Sequence, residues 1–292
     1  MFSLLVILLS AFLWTGAARV EPAAPAPVIA TAEQLMDATK AATDELDRLA
    51  FNVRYTKLFF IADDLQQRSG RAIVVTDART EAERALEPDA PPRRAFGLRF
   101  ETLMTDRRVE PELRELAFDG EWFAERIPAE KLVIRRQLAP PGEPIDAFKL
   151  GEGPFVVLIG QDKSDVLQRY TAAMPDDPTQ GLTDHDHPAI RGRASTVAGT
   201  HQLHLTIRPE LADDSTLQDV RIWYDRATLL PTLALQTKAS EDVEVVQLQG
   251  PRLDSAVTPT DVALIDTGVP AEPGWDVQIH EYRAPARAEA LP

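Results

Sequence analysis

Cysteine is missing from this 292-residue chain, which excludes disulfides, thiolate metal sites, thiol catalysis and the lipid-modified cysteine of a bacterial lipoprotein. Basic residues are in deficit, with 31 Lys and Arg against 46 Asp and Glu, a formal net charge of -15. Such a surface repels nucleic-acid phosphates and gains nothing from electrostatic adsorption on anionic membranes, so no nucleic-acid partner is expected. Catalytic signatures are missing too. The sequence has no G-x-S-x-G elbow, no P-loop and no H-E-x-x-H, and Gly151-Glu152-Gly153 lacks the third glycine of a dinucleotide fingerprint. Nothing places the carboxylates of Asp119, Glu121 and Glu125 in a cleft, so neither an enzyme nor a cofactor is expected.

Apolar residues are plentiful at 44%, enough for a large core. Residues 2–14 form an apolar run followed by Gly16, Ala17 and Ala18, which predicts a signal peptide over residues 1–18 and a periplasmic location. No Lys or Arg precedes the run, so an uncleaved membrane anchor stays open as an alternative. Residues 19–30 are rich in Pro and Ala and predict a disordered tether; residues 284–292 predict a disordered tail. Residues 31–283 are left as one domain.

Thr31, followed three residues later by Gln34, has the pattern of a helix N-terminus, and Leu35, Ala38, Ala42, Leu46 and Leu49 recur at helical spacing behind it. Phe51, Val53, Tyr55 and Phe59 then fall on one side of a strand, where Lys57 breaks the pattern, and residues 70–76 can pair with it. Phe96, Leu98 and Phe100 mark another half-buried strand. Asp119-Gly120 sits between two apolar runs as a two-residue hairpin turn, and a second turn at residues 128–130 completes a meander with Trp122 in its middle strand. Leu205 and Ile207, then Ile222 and Tyr224, alternate with polar neighbours further on, and residues 275–282 could add an edge strand. The expected class is mainly β: a highly curved antiparallel sheet, open as a half-barrel, with an N-terminal helix.

The words FDGEWFAE (118–125), KLVIRRQL (131–138), PFVVLIG (154–160), DVLQRY (165–170) and IWYDRATLLPTLALQT (222–237), in that order, resemble the LolA-like superfamily. That superfamily includes the periplasmic lipoprotein carrier LolA, the receptor LolB and the sensor RseB. The resemblance spans most of residues 32–254 and implies a half-barrel with helical lids whose apolar interior holds acyl chains. It implies lipoprotein acyl chains or another lipid as ligand, inner- and outer-membrane sorting proteins as partners, and a lid at Phe155, Leu158 and Ile159. An RseB-like envelope sensor is the alternative function. The family's Arg-Pro step on an early strand has no counterpart here, Arg93-Arg94 being only neighbours of its expected place, so the resemblance does not carry a coupled handover.

The cavity wall would be formed by Phe51, Val53 and Tyr55, by Phe96, Leu98 and Phe100, and by Trp122, Leu132 and Ile134. Leu205, Ile207, Ile222 and Tyr224 would complete it. The same residues are equally readable as ordinary packed core, and the two alternatives make opposite predictions about the inner face. Asp184-His185-Asp186-His187 has alternating imidazoles, but no further ligand set accompanies it and a solvated acidic loop accounts for it. His201 and His204, three apart, fall on opposite faces of a strand and are poor co-ligands. With no ionised group holding the ligand, binding should vary little between about pH 6 and 8.

Overall fold

The structure is a computed structural model that describes residues 29–282, apart from 63, 91, 107, 144, 146–158, 160–161 and 214. The predicted signal peptide, most of the tether, the tail, and Phe155 and Leu158 of the expected lid lie outside the described residues.

Helix α1 (Ala32–Asp44) starts where the sequence predicts it: the Thr31 hydroxyl accepts the Gln34 N–H at 3.2 Å. It stops earlier than its apolar spacing suggests. Leu49 belongs instead to β1 (Arg48–Phe59), because pairing on both sides overrides a helical periodicity that continues only by coincidence. The Asp254 carboxylate accepts the N–H groups of Asp47 and Arg48 and fixes this entry.

Ten further strands follow β1 in register: β2 (Asp64–Val75), β3 (Ala95–Thr105), β4 (Arg108–Phe118), β5 (Trp122–Ile127), β6 (Leu132–Gln137), β7 (Tyr170–Ala173), β8 (Thr200–Ile207), β9 (Leu217–Asp225), β10 (Pro231–Lys238) and β11 (Val243–Leu253). The last, β12 (Asp276–His280), is the predicted edge strand, and it pairs parallel to β6. One 12-stranded sheet results, in the order β12-β6-β5-β4-β3-β2-β1-β11-β10-β9-β8-β7, and its ends do not close into a barrel. Short helices α2 (Glu81–Leu86), α3 (Lys163–Arg169), α4 (Pro188–Arg191) and α5 (Pro259–Val262) lie in the connections.

Helix α1 shows why the sheet must curl. Its 13 residues span only about 20 Å, yet Asp44 at its end lies 4.0 Å from Arg94 at the start of β3 while the helix also touches β7 and β8. On a flat sheet β3 and β8 would be roughly 29 Å apart, six strand spacings. The sheet therefore rolls around the helix. A register shift between β2 and β3 adds local bend, and there Gly70 approaches so closely that a Cβ would lie 1.8 Å from the Arg99 carbonyl oxygen.

The Asp119-Gly120 hairpin differs in detail from expectation. Asp119 donates its N–H to the Trp122 carbonyl, so the two turn residues are Gly120, with φ of 102°, and Glu121. The Asp119 carboxylate accepts from the Glu121 and Trp122 N–H groups and locks the turn.

Much of the sheet, though not its β5–β6 end on the inner side, is covered on both faces. Inside, α1 contributes Leu35 and Met36 to a continuous apolar cluster with Phe51, Phe96, Phe118 and Ile222. Outside, residues 174–199 cover β9–β11 through Leu182 and Ile190, which share a cluster with Trp223 of β9, while the chain after β11 covers β1–β3 through Val257 and Leu264. That last segment is tied down by polar contacts: Arg126 donates to Asp266 at 3.0 Å and to the Gly268 carbonyl at 2.6 Å, and Thr267 donates to Asp119 at 2.6 Å.

Candidate functional site

Alternation assigns each predicted wall residue to a face, and cross-strand neighbours check the assignment. Phe51 and Val53 of β1, Phe96, Leu98 and Phe100 of β3, Leu205 and Ile207 of β8, and Ile222 and Tyr224 of β9 are all buried in the one inner cluster, with Tyr55 half-buried at its border. Ile159, 4% exposed, belongs to the same cluster, and the Arg94 guanidinium donates to its carbonyl at 3.3 Å. Arg94 thus connects the entrance of β3 to the residues just before α3.

Trp122 corrects the expectation. Its partners across the sheet place it on the outer face, where the Arg135 guanidinium stacks 4.5 Å from its ring centroid. The inward aromatic of β5 is Phe123, which pairs with Phe118 and completes a row with Phe96, whose ring is 5.9 Å from that of Phe118 and 6.5 Å from that of Phe123. Size misled the reading, whereas phase decides it: Phe118 faces inward, so its partner Phe123 must. Leu132 and Ile134 do share the inward phase of Phe123, through the pairs Ile127–Leu132 and Glu125–Ile134. They lie outside the packed cluster, half-buried near the β6 edge, because none of the described helices covers that end.

A charged belt crosses the inner face beyond the apolar cluster, at the end away from the Phe51–Tyr224 region that α1 covers. At its centre is Glu244, 6% exposed, which accepts from Gln236 Nε2, from Lys238 Nζ at 2.5 Å and from the Tyr55 hydroxyl, with Lys57 Nζ at 3.9 Å. Burial, reinforced by this carboxylate, pushes the Tyr55 phenol well above its ordinary value. Arg68, opposite Tyr55, donates to Glu112 at 2.8 Å, and Arg114, opposite Phe100, donates to Glu125 at 2.8 Å. Each cation of the belt has a carboxylate beside it, as a partly buried charge requires. This belt is what sequence reasoning missed. Lys57 was its one visible sign, the residue that interrupts the alternation of β1.

The acidic His loop lies on the outer face. Asp184, His185, Asp186 and His187 line an open cleft of about 820 Å³ with Leu58, Phe60, Glu241 and Val243. His185 Nδ1 accepts the His187 N–H at 3.1 Å and His187 Nδ1 accepts the Ala189 N–H at 3.2 Å, so both imidazoles are committed to local backbone and His187 caps α4. Among the described residues no group of three or more His, Asp or Glu side chains could hold a metal. His204 faces outward and binds Asp219, while His201 keeps the inner phase, three residues away on β8. No helix among the described residues is long and apolar enough to cross a membrane.

No family model and no curated protein sequence matches the chain. Among solved structures it is similar to an uncharacterized conserved protein from Thermus thermophilus, at 9% identity and a TM-score of 0.42, over 86% of this chain and 99% of that one. It is also similar to a chain of the MucA/MucB complex from Pseudomonas aeruginosa, at 11% identity and a TM-score of 0.39, over 79% of this chain and 60% of that one. A third is a LolA superfamily protein from Nitrosomonas europaea, at 11% identity and a TM-score of 0.28, over 80% of this chain and 97% of that one. The solved structures to which the chain is similar thus include a LolA superfamily member.

Proposed function

We propose that this protein is an exported, non-enzymatic carrier that holds the acyl chain of a lipid or lipoprotein against the inner face of its rolled sheet. One observation carries the reading: the apolar inner face does not end where α1 stops covering it. It continues through the Phe96–Phe118–Phe123 row, and beyond Glu125 and its Arg114 partner the inward side chains Ile127, Leu132 and Ile134 remain half-buried on β5 and β6. Apolar surface left partly wet inside a curved sheet is a wall for an apolar ligand. An acyl chain laid there would gain about 0.8 kcal/mol per buried methylene, on the order of 10 kcal/mol for a long chain before ordering costs, so affinity needs no catalytic group.

The reading places the acyl site on β3–β6 and not on the residues of β8 and β9, which are fully packed. Native mass spectrometry of protein purified from its own envelope should show co-purified lipid, and a fluorescent acyl probe should bind the emptied protein. Phe123→Asp should reduce probe uptake at least several-fold while the protein stays folded. Lipid-free protein that takes up no probe would refute the carrier reading.

A further inference from the structure

One edge of the sheet is open. Among the described residues, β12 ends the strand order with β6 as its one neighbour, and all five of its residues are exposed, Val277 at 36% and Ile279 at 53%. The opposite edge, β7, is packed against α1 and α3. An uncovered edge offers a row of unpaired backbone groups to another strand, and proteins commonly blunt it with Pro, Lys or a bulge. Residues 276–280 contain no Pro and no Lys, and they pair with β6 without a register shift.

Register fixes which groups face the open side. Asp276 donates its N–H to the Lys131 carbonyl at 2.7 Å, so by alternation the backbone of Asp276, Gln278 and His280 bonds toward β6. The N–H and C=O groups of Val277 and Ile279 point the other way, to the open edge. The side chains divide between the two faces. Val277 and Ile279 stand opposite Val133 and Arg135 on the outer face, where Arg135 stacks on Trp122. Asp276, Gln278 and His280 stand opposite Leu132, Ile134 and Arg136 on the inner face.

Independently of the carrier reading, we propose that this edge binds a second copy of the chain, the two β12 strands pairing antiparallel about a two-fold axis at Gln278. The strand is complementary to itself in that register. Val277 exchanges both backbone bonds with the partner's Ile279, and Ile279 with the partner's Val277, so every outward backbone group of the two residues is used. Asp276 meets the partner's His280 on the inner face, with Arg136 beside that imidazole, while Val277 and Ile279 meet on the outer face. Registers centred on Val277 or on Ile279 set Asp276 or His280 against Gln278 and leave the acid–imidazole pairs unmade. Five residues a side, against about 20–30 in a standard interface, make the dimer weak and dependent on protein concentration.

The absence of native cysteine allows a register-specific test in the full chain. Gln278→Cys places two thiols opposite each other on the axis, in a pair with Cα atoms about 4.5 Å apart, within the roughly 4.4–6.8 Å that a disulfide spans. Val277→Cys is exposed too, but its copy lies two residues out of step at about 7–8 Å, too far to bridge. Mild oxidation should therefore link Gln278→Cys into dimers about fivefold more than Val277→Cys. Adding Asp276→Lys to Gln278→Cys, which sets a lysine against the partner's His280 and the partner's Arg136, should cut the linked fraction about fivefold. Adding His280→Asp as well should restore it to within about twofold. Equal linking of the two single-cysteine variants, or linking of neither, would overturn the proposal, because the edge would then meet copies without register or not at all. Linking that ignores Asp276→Lys, or that His280→Asp fails to restore, would overturn it equally.

Discussion

On β8 and β9 the inward residues Leu205 and Ile222 are 0% exposed, whereas on β5 and β6 the inward residues Phe123 and Ile134 are only half-buried, although all four follow the same alternation. The difference is what lies over them. Helix α1 touches β7 and β8, α3 adds Val166 to the inner cluster, and Tyr224 at the end of β9 bonds Thr39 of α1. No described helix spans β5 and β6. A strand pattern fixes which side chains point inward, but whether an inward side chain becomes core or ligand wall depends on the covering element.

Aspartate placed on each half gives the largest contrast. Ile222→Asp would bury an unpaired carboxylate beside α1 and should destabilise the fold by several kcal/mol, lowering the melting temperature sharply. Ile134→Asp lies where water reaches the wall, so its stability cost should be small and its effect on acyl-probe binding several-fold. Thermal melts and probe titrations on the same samples separate the outcomes. Equal destabilisation by both would mean that β5 and β6 are core like the rest.

That contrast also explains what the sequence made legible. Period-two runs such as 203–207 and 220–224 identify strands and their inward side, and the nine buried wall residues of β1, β3, β8 and β9 follow from that alone. Trp122 failed because the reading followed bulk where the turn geometry sets phase; Asp119 opposite Trp122 and Phe118 opposite Phe123 decide it. Leu49 failed because its helical spacing from Leu46 is outcompeted by pairing to β2 and β11. The belt around Glu244 was hidden for a further reason. Its members come from strands far apart in the chain, and only register brings Tyr55, Arg68 and Gln236 to neighbouring positions.

Acid should act through the packed half and the outer cover, with a sign that follows from three carboxyls. Burial raises Asp219, but the bonds from His204 and Arg221 outweigh it and hold it below 3.8. For Asp261, 1% exposed, burial is likewise outweighed, by Thr258 and Arg252; Asp225 is lowered mainly by the Thr228 N–H. A carboxyl whose folded pKa is depressed stabilises the fold above its unfolded value of about 3.9 and loses that contribution as pH falls through the folded value. His185 and His201 are also lowered, chiefly by burial, so protonation favours the unfolded chain as pH drops below 6.5. Melting temperature should therefore be level from about pH 8 to 7, decline slightly below 6.5 and fall steeply below about 4. Asp219→Asn should flatten the steep part, and a melting temperature that rises on acidification to about pH 3 would contradict the assignment.

The smallest effect tests the cover itself. Thr31 caps α1 through its hydroxyl, and Gln34 returns a bond from its side chain to the Ala30 N–H at 2.9 Å, so the first turn is held from both directions. Thr31→Ala leaves one helix donor unpaired and should cost about 1 kcal/mol. Because the cap touches neither half of the inner face, the substitution changes how firmly α1 sits without altering any wall residue. If α1 is what turns the β8–β9 half into core, hydrogen exchange in Thr31→Ala should accelerate for the amides of β8 and β9 and remain unchanged for β5 and β6. Acyl-probe binding at Phe123 and Ile134 should also hold. Uniform acceleration across the sheet would show instead that the two halves open as one unit and that the helix covers both.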